Sequence, residues 1–173
     1  MTAIQSCFMF TSGDKVYDKY NKLYNKHIKG YIILGPPGIG KTYYCDNIQK
    51  CDIKGKKEWI DADRICGDLC VKWHLNETNN IEQRLNYLRA EYILEQSRAL
   101  GYRIIGSLFW NNIIPDAIVI PDLLLHKEYI SKRPDLNLQV VIKIRNLLQI
   151  IAIKQNVKIF KNCVDAIKYL SKH

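Results

Sequence analysis

Gly35, Pro36, Pro37, Gly38, Ile39, Gly40, Lys41 and Thr42 are the residues whose types and spacing speak most directly of chemistry. They fit the pattern G-x-x-x-x-G-K-[ST], in which a glycine-rich turn cradles phosphate. Glycines 35, 38 and 40 have no Cβ, so the backbone can turn through positive φ and aim its N–H groups at anionic oxygens. Lys41 would set an ammonium on the β- and γ-phosphates of a nucleotide, and Thr42 would offer its hydroxyl to Mg²⁺. A helix starting at Lys41 adds the positive end of its dipole. All eight residues are therefore candidate ligands of ATP, with Thr42 a candidate metal ligand. The alternative is a chance glycine-rich turn, and the strand before it and the helix after it weigh against that.

A second group is Asp61-Ala62-Asp63-Arg64. Two carboxylates in an extended turn can divide the work of phosphoryl transfer. Asp61 is the candidate partner of Thr42 in the Mg²⁺ shell, an ion that keeps several of its waters. Asp63 is the candidate base for an acceptor hydroxyl. Both aspartates could instead cap the turn that follows, a common use of Asp, and Arg64 is either an anion clamp or a surface residue. Trp110, Asn111 and Asn112 could line an acceptor pocket or form an ordinary packed loop. Cys66, Cys70 and His74 recur every fourth residue, but no fourth ligand is evident, so a packed face is favoured over zinc.

The elements around these groups follow from hydrophobic spacing. Gly30–Leu34 reads as a buried strand emptying into the phosphate loop, and a helix is expected from Lys41 to about Lys50. Glu58-Trp59-Ile60 is a second strand ending at Asp61. Ile81, Leu85, Leu88 and Tyr92 predict the apolar face of a long helix, extended by Ile93, Ala99 and Leu100, with Asn79 and Glu82 as a capping-box variant at its start and Gly101 as its terminal glycine. Strands are expected at 102–108, 117–120 and 157–160. Between the last two lie a helix from Pro121-Asp122 to about Lys132, stopped by Arg133-Pro134, and one marked by Val140, Ile144, Leu147, Leu148 and Ile151. Asn162 should cap a final helix. Val16, Tyr20, Leu23, Tyr24 and His27 or Ile28 predict an amphipathic helix within an N-terminal extension, residues 1–29, ahead of a nucleotide-binding domain, 30–173.

Alternating strands and helices imply right-handed βαβ units. The expected fold is α/β, a three-layer sandwich around a five-stranded parallel sheet with an extra N-terminal helix. Ligands of such sheets sit at the carboxyl ends of the strands, where the phosphate loop and the Asp61 turn both fall.

The chain has 173 residues, a formal charge of +9 and a pI near 9.2. The charge suits anionic ligands, although evenly scattered lysines also describe a solvated surface. No apolar run is long enough to span a bilayer, and the first ten residues lack a basic n-region and a small-residue cleavage site. Six cysteines without C-x-x-C spacing suit a reduced, cytoplasmic setting.

Gly35–Thr42 together with Asp61-Ala62-Asp63 resembles the small P-loop kinases, chiefly the shikimate-kinase-like and gluconate-kinase-like enzymes whose second strand ends in D-x-D. Similar elements occur in nucleoside, nucleotide and 5′-polynucleotide kinases. The resemblance implies that Asp61 belongs to the metal shell, that Asp63 contacts the acceptor hydroxyl, and that Lys41 acts on the transferring group. Ser131-Lys132-Arg133-Pro134 is similar to the basic lid of that family, which would bring Arg133 over the phosphoryl group. The sequence departs from the pattern at Pro36-Pro37, at Gly106-Ser107-Leu108-Phe109-Trp110 and in an arginine-poor lid, which argues against shikimate as substrate.

The resulting expectation is an ATP- and Mg²⁺-dependent kinase acting on a small acceptor, a nucleoside or nucleotide. Two alternatives stand beside it. One is a P-loop ATPase or nucleotide-dependent switch, for which Ala117–Asp122 offers a loose Walker B resemblance. The other is a kinase of 5′-hydroxyl polynucleotide ends, which the charge prompts but no clustered basic–aromatic surface supports.

Overall fold

The computed structural model describes residues 13–69, 80–107 and 113–172. Within them the chain is α/β, with seven α-helices and one all-parallel sheet of five strands, β1 (Tyr31–Gly35), β2 (Trp59–Asp61), β3 (Arg103–Ser107), β4 (Ala117–Val119) and β5 (Ile159–Phe160), in the order β2-β3-β1-β4-β5. The expected alternation of strand and helix is therefore observed. The chain falls into two compact units.

Among the described residues the first unit contains 13–30, 50–69, 80–104 and 113. Its described elements are α1 (Gly13–Leu23), β2 (Trp59–Asp61), α3 (Ala62–Asp68), α4 (Asn80–Ala99) and the start of β3 (Arg103–Ser107). Helix α1 ends earlier than its apolar spacing suggests. Lys57 N–H donates to the Leu23 carbonyl and Asn25 N–H to the Lys57 carbonyl, so Tyr24 pairs with Lys57 as a short parallel bridge. That pairing draws residues 24 and 25 out of the helix, and Ile28 is left exposed.

The buried side of α1 is aromatic. Tyr20 and Tyr24 stack with ring centroids 5.3 Å apart, and the Tyr20 hydroxyl donates to Asp68 at 3.0 Å. Burial, with the Asp68 carboxylate beside it, pushes the Tyr20 phenol up. The Tyr102 hydroxyl donates to Asn21 at 2.7 Å, and burial pushes that phenol up to about 12. Both phenols therefore stay protonated donors at neutral pH and tie α1 into the unit.

Helix α4 stops at Gly101 as expected. Gly101 has φ +89°, its N–H donates to the Arg98 carbonyl and Tyr102 N–H to the Ser97 carbonyl, the paired bonds of a Schellman motif. A Cβ there would also lie 2.1 Å from the His27 carbonyl oxygen. The apolar face of α4 is only partly the one the spacing suggests: Ile93, in its extension, is buried, but its first turns are not. Ile81, Leu85 and Leu88 are exposed, Ile81 at 75%, whereas Asn86, Ala90, Glu91, Ile93, Leu94 and Ser97 are buried. Small and polar residues allow close approach along that side, and Ser97 satisfies its own hydroxyl on the Ile93 carbonyl at 2.7 Å.

The second unit contains Tyr31–Gln49, Ile105–Leu108 and Ile114 onward. It holds β1 (Tyr31–Gly35), the short α2 (Lys41–Tyr43), β4 (Ala117–Val119), α5 (Leu123–Ser131), α6 (Leu138–Gln155), β5 (Ile159–Phe160) and α7 (Cys163–Leu170). Strand β1 is buried at every residue, the pattern of an interior parallel strand covered on both faces. Ile33 pairs with Ala117 and Leu34 with Ile118, while Ile118 and Val119 pair with Ile159 and Phe160.

Two asparagines begin helices here. Asn137 Oδ1 accepts from Gln139 and Val140 N–H at the start of α6, and Asn162 Oδ1 accepts from Asp165 N–H at the start of α7, as expected for Asn162. Asn156 closes α6 in the left-handed region, φ 53°. The packed side of α6 is Val141, Leu148, Ile151 and Ala152, so Val140 and Leu147 of the anticipated stripe face outward. Among the described residues no helix is long and apolar enough to cross a membrane.

Candidate functional site

The glycine-rich turn at 35–42, the candidate phosphate loop, lies wholly in the second unit and is shaped by its glycines. Gly38 and Gly40 have φ +88° and +80°, a region that costs any other residue about 1–2 kcal/mol. Gly35 is required for a different reason: a Cβ would lie 2.4 Å from Ile39 Cδ1 and 2.8 Å from the Val119 carbonyl oxygen. Ile39 is buried back over Gly35 and so anchors the middle of the loop. At Gly40, by contrast, nothing lies within 4 Å of the place a Cβ would take. Lys41 is half-buried and Thr42 exposed. Both lie in the first turn after the loop.

The helix that follows is not the regular one expected to about Lys50. Tyr44 N–H closes one α-type bond to the Gly40 carbonyl at 2.9 Å. From Tyr44 to Ile48 the coil widens to a π-helical turn, closed by Gln49 N–H donating to the Tyr44 carbonyl at 3.0 Å. The Gln49 side chain donates to the Cys45 carbonyl at 2.9 Å, which satisfies an end group that the shortened helix leaves open. Single π turns are frequent at functional sites.

Beside the loop opens a pocket of about 430 Å³, within the size range of small-molecule sites. It is lined by Gly38, Ile39 and Gly40 of the turn, by Tyr43, Tyr44 and Ile48, by Pro121, Leu125 and Tyr129, and by Lys161 to Val164. Lys161 is ion-paired with Asp122 across its rim. Asn162 is occupied as the cap of α7, its amide also donating to Asp165 at 2.8 Å. The three tyrosines of this lining were not foreseen, because 43, 44 and 129 share no sequence period. Only the fold unites them.

His126 was likewise missed. It sits on α5, fully buried, and its Nε2 lies 2.9 Å from the Pro37 carbonyl oxygen inside the glycine-rich turn. Burial, assisted by the Arg145 guanidinium, holds its pKa below the ordinary imidazole value even though the Pro37 bond acts the other way. Arg145 donates to the Pro121 carbonyl at 2.5 Å.

Asp61 and Asp63 belong to the first unit. Asp61 is 3% exposed at the end of β2, and its Oδ1 accepts from Asp63 N–H at 3.0 Å, which makes it the N-cap of α3. The capping role weighed from the sequence is thus present at Asp61. Asp63 is exposed in the first turn of α3, where a carboxylate also favours the helix dipole. Arg64, next to it, is exposed and reaches the Tyr24 hydroxyl only at 3.5 Å.

Arg133, the anticipated lid arginine, lies in the six-residue turn 132–137 between α5 and α6. It makes two bonds to Asp135, 2.9 and 2.7 Å, both partners exposed. That pairing raises the Arg133 pKa and lowers that of Asp135.

Trp110, Asn111, Asn112, Cys70, His74 and Asn79 lie outside the described residues. Cys66 is buried. Among the described residues no cluster of three or more His, Cys, Asp or Glu could enclose a metal ion. No protein-family model matches this chain, and no curated protein matches it.

Proposed function

We propose that the chain is a phosphotransferase of the three-layer P-loop kinase type, moving the γ-phosphoryl group of ATP to a nucleoside or nucleotide. The observation that carries this reading is the turn at 35–42, where Gly38 and Gly40 hold positive φ directly after a fully buried strand. A backbone so turned presents successive N–H groups to an anion. The adjoining pocket supports it, because tyrosine rings and aliphatic groups there suit the flat faces of a nucleobase.

In this reading the amides from Gly38 to Thr42 grip the phosphate tail, and Lys41 counters the charge that builds between the β- and γ-phosphates. Asp63 accepts the proton of the acceptor hydroxyl. The freed oxygen then forms its bond to the γ-phosphorus as the bond to the bridging oxygen breaks, and ADP leaves. Bound Mg²⁺ would neutralise charge on the same phosphates, with Thr42 and Asp61 holding its shell. For Arg133 to act as a lid residue it must exchange Asp135 for the substrate. The setting proposed is cytoplasmic.

A nucleotide-dependent switch or ATPase is the second reading, and the Arg133–Asp135 pair favours it: the one arginine of the short 132–137 turn already has a carboxylate partner. Labelled ATP offered with nucleosides, nucleotides and 5′-hydroxyl oligonucleotides separates the readings. The kinase labels an acceptor, and Asp63→Asn lowers that transfer at least about 100-fold with ATP binding retained. Phosphate released only to water supports the switch or ATPase. Neither binding nor turnover by the wild-type chain overturns both.

A further inference from the structure

The phosphate loop of this chain is unusual in its supply of donors. Pro36 and Pro37 have no N–H, so the first amide it can offer an anion is that of Gly38. The orientation of the Pro37–Gly38 peptide therefore decides whether the loop has that donor at all. None of the described peptide bonds is cis. In a trans peptide the carbonyl and the following N–H point in opposite directions.

His126 fixes one end of that peptide. Its Nε2 stands 2.9 Å from the Pro37 carbonyl oxygen, although the two residues are 89 positions apart. A carbonyl only accepts, so Nε2 must carry the proton and donate. The other ring nitrogen, Nδ1, is buried with no hydrogen-bond partner. The ring and Ile130 also floor Gly38, each 3.4 Å from where a Cβ would sit, while Gly38 itself has φ +88°. A second proton on the ring would have to enter at Nδ1, where no acceptor meets it. The charged group that faces the ring, the Arg145 guanidinium on α6, opposes that proton as well.

We infer that His126 is a positioning residue of the phosphate site: as the neutral Nε2–H tautomer it holds the Pro37 carbonyl from beneath, which turns the Gly38 N–H the opposite way to serve the anion. The inference rests on the nucleotide-binding reading of the loop, and it adds a buried side chain from α5 to a site otherwise built of backbone.

Two measurements test it. Titration with a fluorescent ATP analogue compares the wild-type chain with His126→Leu, which removes the donor, and His126→Gln, whose amide nitrogen reaches the place of Nε2. The leucine variant should bind about tenfold more weakly and the glutamine variant within about threefold of wild type, since a partly buried carbonyl left without its donor forfeits roughly that much. Equal binding by a folded His126→Leu overturns the inference, as does an equal loss in His126→Gln. Should the leucine variant fail to fold, nitrogen-15 NMR of the wild-type imidazole decides. A protonated Nε2 and a bare Nδ1 at pH 7 are expected, and the opposite tautomer or an imidazolium overturns it. Failure of the wild-type chain to bind the analogue at all removes the nucleotide reading instead, while the tautomer still reports on the bond to Pro37.

Discussion

The turn at 35–42 and the turn at 61–64 both follow a buried parallel strand, yet they are built on opposite principles. In the first, the function we propose would be vested in the backbone. Its glycines adopt φ values that other residues resist, Ile39 folds over Gly35, and His126 supports the carbonyl of Pro37. In the second, the proposed chemistry would reside in side chains, and the more buried one, Asp61, is engaged in holding up its own helix. A backbone site tolerates change only where the chain can still turn. A side-chain site can lose its chemistry and leave the fold untouched, or lose the fold with the chemistry. Substitutions that keep shape and remove charge tell these cases apart.

The largest contrast is expected from Lys41→Ala. If the first turn grips phosphate, transfer should fall about 100- to 1,000-fold in a labelled-ATP assay, the scale of losing one charge-stabilising group, while thermal unfolding stays unchanged. Undiminished transfer would reduce that turn to a structural one. Next comes Gly35→Ala, which forces a methyl against Ile39 and the Val119 carbonyl. It should cost about 1–3 kcal/mol in urea unfolding, an overpacking penalty.

In the second turn the same comparison is made at one position. Asp61→Ala should destabilise by about 1 kcal/mol and Asp61→Asn by only a few tenths, because asparagine caps a helix as well as aspartate does. If Asp61 also serves Mg²⁺, the asparagine variant loses transfer despite its intact stability. If it is a cap alone, transfer survives in Asp61→Asn.

The smallest effect is a pH dependence confined to the first turn. Folding lowers the His126 pKa below the unfolded value of 6.5. Below about pH 6.5 the unfolded chain takes up a proton that the folded chain refuses, so stability falls as the pH drops through that value and levels off once the folded imidazole is protonated too. Urea unfolding at pH 7.5 and 5.5 should show the loss, and His126→Gln should lessen it. A wild-type chain equally stable at both values, against the same variant, would separate His126 from the loop's stability.

The difference between the turns also explains what could be read from the residues alone. A loop whose geometry demands glycine at 38 and 40 writes that demand into the sequence, so its place after a buried strand was legible. Gly101, Asn162 and the Ser131–Leu138 break around Pro134 were legible for the same reason: local backbone needs leave local marks. His126 had no such mark, since the carbonyl it supports lies 89 residues away and nothing in Leu-Leu-Leu-His-Lys-Glu distinguishes it. The face of α4 was partly misjudged because helical spacing ranks residues by hydrophobicity. The buried side carries Asn86, Glu91 and Ser97, polar groups that tertiary packing accommodates. The early end of α1 has a similar origin, the backbone bonds between residues 23–25 and Lys57 overriding an apolar spacing that ran on.

The widened coil at Tyr44–Ile48 has one more implication. A π turn is an α-helix carrying one surplus residue, and here the surplus lets Ile48 swing back beside Tyr43 and Tyr44 along the same flank. A chain shortened by a single residue in this segment would regain ordinary helical phase and carry that isoleucine around the axis. The glycine turn before it would be intact, but its neighbouring hollow would have lost a side.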